Sequence, residues 1–111
     1  MKVVYIVGPF WADNAWAREQ NIRRAEALAL EVAQAGFAVI CVHAASRFYP
    51  GVLPESFWLA ADLEIIRRCD AVLLVAGWEY STGSRTEVDD CRERGQPIFH
   101  SIKDLKEKWG V

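Results

Sequence analysis

Apolar residues in this chain gather into short unbroken runs, and between the runs they recur at helical spacing. Lys2 to Val7 (KVVYIV), Phe37 to Val42 (FAVICV) and Ala71 to Ala76 (AVLLVA) show no alternation of apolar and polar positions. Such runs predict strands buried on both faces, and therefore parallel pairing. Ile98 to Ile102 is a fourth, weaker run after the break at Gly95-Gln-Pro97. From Asn14 to Ala35 the apolar positions Ile22, Ala25, Leu28, Ala29 and Val32 share one helical face. Arg18, Glu19, Arg23, Arg24, Glu26 and Glu31 lie mostly off it, and Gly36 stands where a helix-ending C′ residue belongs. Further helices are predicted over Glu55 to Cys69, Ser84 to Arg94 and Lys103 to Trp109, with a Pro- and Gly-containing loop from Ala44 to Pro54.

Strands that alternate with helices at this length imply right-handed crossovers. The expected fold is a single α/β domain spanning residues 1–111, a three-layer sandwich around a four-stranded parallel sheet of order 2-1-3-4. This is a Rossmann-like, flavodoxin-like arrangement. Its topological switch point falls between the first and third strands, where ligands of open parallel sheets bind. Those strands end in Gly8-Pro9-Phe10 and in the polar stretch Gly77 to Glu87, GWEYSTGSRTE.

Helical spacing singles out two carboxylates. Asp62 shares a stripe with Leu59, Leu63 and Ile66, and Glu87 shares one with Val88 and Cys91. An aspartate on an apolar stripe has to be hydrogen-bonded, paired or beside a solvent-filled cleft, because unpaired burial costs too much. Glu87 also closes the sequence Ser84-Arg-Thr-Glu87, which reads as an S-x-x-E capping box, so a helix cap competes with a chemical role there.

Composition narrows the functional classes. With 111 residues, 52% hydrophobic and 25% charged, the chain fits one ordinary globular domain. A net charge of −2 gives no electrostatic case for a nucleic acid polymer. No apolar run approaches the roughly 20 residues of a membrane span, and Met1-Lys2 leads directly into a strand, so no membrane contact and a cytoplasmic location are expected. Cys41, Cys69 and Cys91 have no C-x-x-C spacing and read as reduced packing residues. His43 and His100 lie far apart, and no metal is indicated. Five tryptophans are many for this length. Trp11, Trp16, Trp58 and Trp78 fall at or near loops and helix starts, as core, as an aromatic wall for a base, or as an oligomer contact.

The common chemistries of this architecture lack their motifs. There is no G-x-G-x-x-G after the first strand, no phosphate-loop G-x-x-x-x-G-K-[ST], no G-x-S-x-G elbow, and no acidic pair in Val7-Gly-Pro-Phe10. No cofactor is therefore expected. Two inward carboxylates, 25 positions apart, suit glycosyl chemistry, in which one group attacks or stabilises the anomeric carbon and the other manages a proton or the sugar.

On Tyr5-Ile-Val-Gly8, on His43, on Asp62-Leu-Glu followed by Cys69-Asp-Ala-Val-Leu-Leu-Val, and on Ser81-Thr-Gly-Ser-Arg-Thr-Glu87, the chain resembles the nucleoside 2-deoxyribosyltransferase superfamily. Within it the motifs are most similar to the deoxynucleoside 5′-monophosphate N-glycosidases. The resemblance implies an enzyme that hydrolyses or transfers the N-glycosidic bond of a nucleoside or nucleotide. Glu87 would be the nucleophile, Asp62 its partner at the sugar hydroxyl or the departing base, and Tyr5 the group orienting Glu87. Ser81 falls where the monophosphate-specific members bind phosphate, and Gly8, Pro9, Phe10, His43, Trp78 and Gly83 would line the substrate site. Ser84 and Arg85 would either join them or serve only the cap and the surface. A homodimer or higher homo-oligomer follows from the same resemblance. The transferases carry an acidic residue six positions before the nucleophile, whereas this chain has Ser81. They also complete the site with a neighbouring subunit's C-terminal region, for which no counterpart is evident up to Val111. A non-catalytic nucleotide-binding or interaction module on the same fold is the competing expectation.

Overall fold

A computed structural model describes residues 1–110 as an α/β sandwich. In chain order its elements are β1 (Val3–Val7), α1 (Ala15–Gln34), β2 (Ala38–Ile40), α2 (Val42–Ala45), α3 (Glu55–Arg67), β3 (Ala71–Leu74), a 3-10 turn (Trp78–Tyr80), α4 (Thr82–Arg94), β4 (Ile98–Phe99) and α5 (Ile102–Trp109). The four strands form one sheet in the order β2-β1-β3-β4, and every pairing is parallel. Among the described residues no helix is long and apolar enough to cross a membrane.

Side chains of the two central strands leave the sheet alternately, and this alternation separates two layers of core. Val4, Ile6 and Leu73 face α1 and α5, with Ala25, Val32 and Leu105. Tyr5, Val7, Val72 and Leu74 face α3 and α4, with Ile66, Val88 and Cys91. The odd positions of β1 thus set Tyr5 on the side of the two helices that carry Asp62 and Glu87. At the start of α1 the Asn14 side chain accepts from the Ala17 amide at 2.8 Å, and Gly36 at φ 95° ends it.

Several predicted elements differ from the observed ones. The second strand is three residues long, not six; Ala38 and Val39 are only partly buried and Ile40 is exposed, because β2 is an edge strand. Val42 instead opens the one-turn helix α2. The fourth strand stops at Phe99, since Ser101 accepts from the Asp104 amide at 3.1 Å and turns Ile102 into the first residue of α5. Val111 of the predicted 1–111 domain lies outside the described residues.

Candidate functional site

Beyond the carboxyl ends of β1 and β3 a cleft of about 750 Å³ opens between α3 and the start of α4. Its floor holds Tyr5 and Glu87, its α3 wall holds Asp62, and its rim holds Gly8, Pro9, Phe10, His43, Ser81, Gly83 and Ser84. Ten of the twelve candidate residues named from sequence therefore converge on one cavity.

Glu87 is 7% exposed, and the Tyr5 hydroxyl donates to its Oε2 across 3.4 Å. Burial pushes the Glu87 carboxyl up to about 8, and the negative charge of Asp62 pushes the same way, whereas the Tyr5 hydrogen bond opposes them. Asp62 is half-buried, and desolvation raises it to about 6. Among the described residues Asp62 has no hydrogen bond or salt bridge, so neither a backbone amide nor an arginine explains its place on the stripe. It faces the cleft instead. Between about pH 6 and 8 the pair thus carries one proton, held mainly by Glu87. Tyr5, buried beside both, is driven far above its ordinary range and stays a hydroxyl donor.

The loop into α4 departs from the expected capping box. Ser81, at φ −108° and ψ 120°, is the N-cap, and its Oγ accepts from the Ser84 amide at 3.2 Å. The cap therefore lies three residues earlier, and the helix starts at Thr82 rather than Ser84. Ser84 is not the cap but the third helical residue, buried, with its Oγ unpartnered. Glu87 lies in the second turn with its carboxyl toward Tyr5, too far along the helix to reach back to the start. The Thr82 and Gly83 amides have no acceptor within the helix, and this end of the α4 dipole at the cleft rim suits an anion.

His43, on α2, is 4% exposed and its Nε2 lies 2.9 Å from the Gly8 carbonyl oxygen. A carbonyl only accepts, so Nε2 carries the hydrogen and Nδ1 is a lone-pair acceptor; burial lowers the imidazole pKa and keeps it neutral. That Nδ1 is buried without a partner. Gly8 is glycine for steric reasons, because a Cβ there would stand 2.6 Å from Val75 Cβ.

Trp78 and Arg85 do not line the cleft. Trp78 packs under the loop with its ring 6.4 Å from His100 and 6.0 Å from the Arg92 guanidinium. Arg85 turns outward and donates to the Glu79 carbonyl at 2.8 Å and to Thr82 Oγ1 at 3.3 Å, bracing the 3-10 turn.

The cleft walls also hold paired aromatic side chains, of which Tyr49 alone was not singled out in the sequence. Tyr49 and Trp58, from the α2–α3 connection and α3, stack at 5.8 Å and 26°, and Phe10 meets Trp11 edge-on at 5.1 Å; all four line the cleft. Of the tryptophans named from the sequence, Trp11 and Trp58 thus line the cleft. Asn21 of α1 donates from Nδ2 to the Phe10 and Trp11 carbonyls at 3.2 and 3.4 Å, and so holds that loop in place. Its signal was legible: an amide side chain four positions before Ala25, on an otherwise apolar face. Among the described residues no group of three His, Cys, Asp or Glu side chains comes together as a metal site.

No curated protein matches this chain. A family model described as a domain of unknown function (DUF7768) matches residues 2–101, a span that takes in every strand and every residue of the cleft. The chain belongs to the family described as Domain of unknown function (DUF7768).

Proposed function

We propose that the cleft binds a deoxynucleotide-like molecule and that Glu87 attacks C1′ of its 2-deoxyribose, so that the N-glycosidic bond is hydrolysed or the sugar is transferred. The observation that carries this reading is the pair of carboxyls, Asp62 and Glu87, that line one cleft beside the Tyr5 hydroxyl. In the minor form of the singly protonated pair, with the proton on Asp62, Glu87 is a carboxylate. It forms the bond to C1′ as the bond from C1′ to the base nitrogen breaks, and the base leaves with the electron pair and takes the Asp62 proton. Water, or another acceptor, then attacks C1′ and releases Glu87, and its proton returns to Asp62. The α4 amides and Ser81 offer a place for a 5′-phosphate, and the aromatic walls offer stacking for a base.

The test is incubation with a panel of deoxynucleoside monophosphates and detection of free base. Release that disappears in Glu87→Ala supports the reaction. No release from any member, with ligand-induced thermal shifts alone, would replace it by a nucleotide-binding module. In this mechanism kcat/KM follows a bell, with limbs near 6 and 8 from the pair. A rise to a plateau above pH 8 would instead leave Asp62 as an acceptor for a sugar hydroxyl.

Tyr5→Phe removes the donor that stabilises ionised Glu87. A loss of about tenfold in kcat/KM is expected, the worth of one such hydrogen bond, with the upper limb moved to higher pH. Homo-oligomerisation belongs to the same proposal, with exposed Phe48, Val52 and Phe57 as apolar surface to be covered. So does a reducing cytoplasmic setting, in which the three free cysteines stay thiols.

A further inference from the structure

Two carboxyls brought together on neighbouring helices repel once both are ionised, and something has to hold those helices in place. The apolar contact of α4 is small, since its buried apolar side chains are Val88 and Cys91 alone. Polar groups supplement it one turn away from the carboxyls. Arg67 of α3 forks onto Asp90 of α4, with Nε 3.3 Å from Oδ2 and Nη2 2.9 Å from Oδ1. Arg94 adds its Nε to the same Asp90 Oδ2 at 2.9 Å and reaches Gln96 Oε1 at 2.6 Å with Nη2. Gln96 in turn donates from Nε2 to the carbonyls of Ile66 and Cys69, at 2.8 and 3.0 Å, and so closes the circuit on the end of α3.

Asp90 is three residues beyond Glu87, and Ile66 is four beyond Asp62, so the strap crosses between the helices about one turn from the pair on each side. The other ion pair at this end of α3, Arg68 with Glu64, stays within one helix and cannot set a distance between two. Forked arginine–carboxylate bonds constrain orientation as well as separation. The strap keeps its charge because the two guanidiniums, Arg67 first, hold Asp90 below the usual carboxylate range.

We propose that Asp90, held by Arg67 and Arg94 and linked through Gln96 to α3, is a positioning residue that fixes the separation of Asp62 and Glu87. Its role in catalysis rests on the glycosyl reading above, but its effect on Glu87 does not. The groups that act on the Glu87 carboxyl are Asp62 from α3 and Tyr5 from β1. Loosening the strap lets α4 move off α3, which weakens the repulsion from Asp62 and admits water to Glu87.

The experiment is a carbon-13 NMR titration of the glutamate side-chain carboxyls in the full chain, with Glu87 assigned by its loss in Glu87→Gln. Asp90→Asn and Arg67→Met are each expected to lower the Glu87 midpoint by about one pH unit and, if base release occurs, to lower kcat/KM about tenfold. The double variant is expected to shift no further than the larger single one, because both residues act through one strap. Arg68→Met is expected to leave the midpoint where it is. Should Asp90→Asn and Arg67→Met lower the melting temperature yet leave the midpoint unmoved, the strap is structural only and the proposal falls. If the midpoint shifts in a protein that releases no base, the positioning role stands and the glycosyl reading is the one lost. Arg67→Met removes a half-exposed side chain, so it keeps the test open if Asp90→Asn does not fold.

Discussion

Glu87→Gln is expected to cut base release by about 10³-fold or more and, at the same time, to make the protein more stable in alkaline solution. The first effect follows from losing the nucleophile, since an amide oxygen attacks C1′ poorly and leaves no carboxylate to form the intermediate. The second follows from linkage. The folded Glu87 carboxyl is raised from 4.5 to about 8, so between those values the folded protein holds a proton that the unfolded chain gives up. The stability that goes with the protonated carboxyl is complete below about pH 4.5 and is lost as pH rises through 8. Glutamine resembles the protonated side chain in shape and charge at every pH. Urea unfolding should therefore give wild type and Glu87→Gln similar stability at pH 4, and favour the variant by a few kcal/mol at pH 9. Equal stability at both pH values would mean that Glu87 is not desolvated. Undiminished release would remove it from the reaction.

Gly8→Ala is the variant expected to damage the scaffold most for the smallest change of side chain. A methyl at Gly8 meets Val75 Cβ at 2.6 Å and Cγ2 at 2.7 Å, and a Cβ on a buried strand end is not the tip of a flexible side chain that can swing away. The ends of β1 and β3 would have to part at the floor of the cleft. Overpacking of this kind costs about 1–3 kcal/mol. The Gly8 carbonyl would move with the strand, and with it the acceptor that holds buried His43. The expected result is a lower urea midpoint together with weaker nucleotide binding. Val75→Gly in the same chain removes the opposing atoms and should restore the binding, though it cannot restore the packing that valine supplied. A Gly8→Ala protein as stable as wild type would show that the two strand ends separate freely.

Several features of the molecule were legible before any coordinates. Unbroken apolar runs at Lys2–Val7 and Ala71–Ala76 predict central parallel strands, and the strands they form, Val3–Val7 and Ala71–Leu74, lie at the middle of the sheet with every neighbour parallel. Residues buried on both faces have to be apolar at every position, which is why the pattern is unambiguous there. The same rule misleads at the edges. Phe37 to Val42 reads like a central strand, but only Ala38–Ile40 pairs, because one side of β2 has no neighbour and nothing in the run says so. The stripes bearing Asp62 and Glu87 were readable for a related reason, since a carboxylate at helical spacing with apolar residues is costly unless the site uses it.

The register of the loop before α4 was less legible. Ser81 and Ser84 are both good caps, and local spacing favours Ser84 because Glu87 follows it by three. The backbone chose Ser81, which frees Glu87 to turn toward Tyr5. Arg85 and Trp78 show the same limit, because residues next to a site in sequence point away from it once a helix or a 3-10 turn has set the direction of each side chain. Asp90 has the opposite history: its partner Arg67 lies in another helix, and nothing about its neighbours in sequence marks that contact.

By itself, then, the sequence determined the elements that depend on short-range periodicity and burial: the class of fold, the order of the sheet, and the two carboxylates that face inward. The tertiary structure alone decided what those carboxylates meet. Tyr5, Asp62 and Glu87 come from three elements spread over most of the chain, and their closeness follows from the crossover of the parallel sheet. So does the ionisation of Glu87, because burial and the charge of Asp62 are properties of a folded cleft and of no segment taken alone.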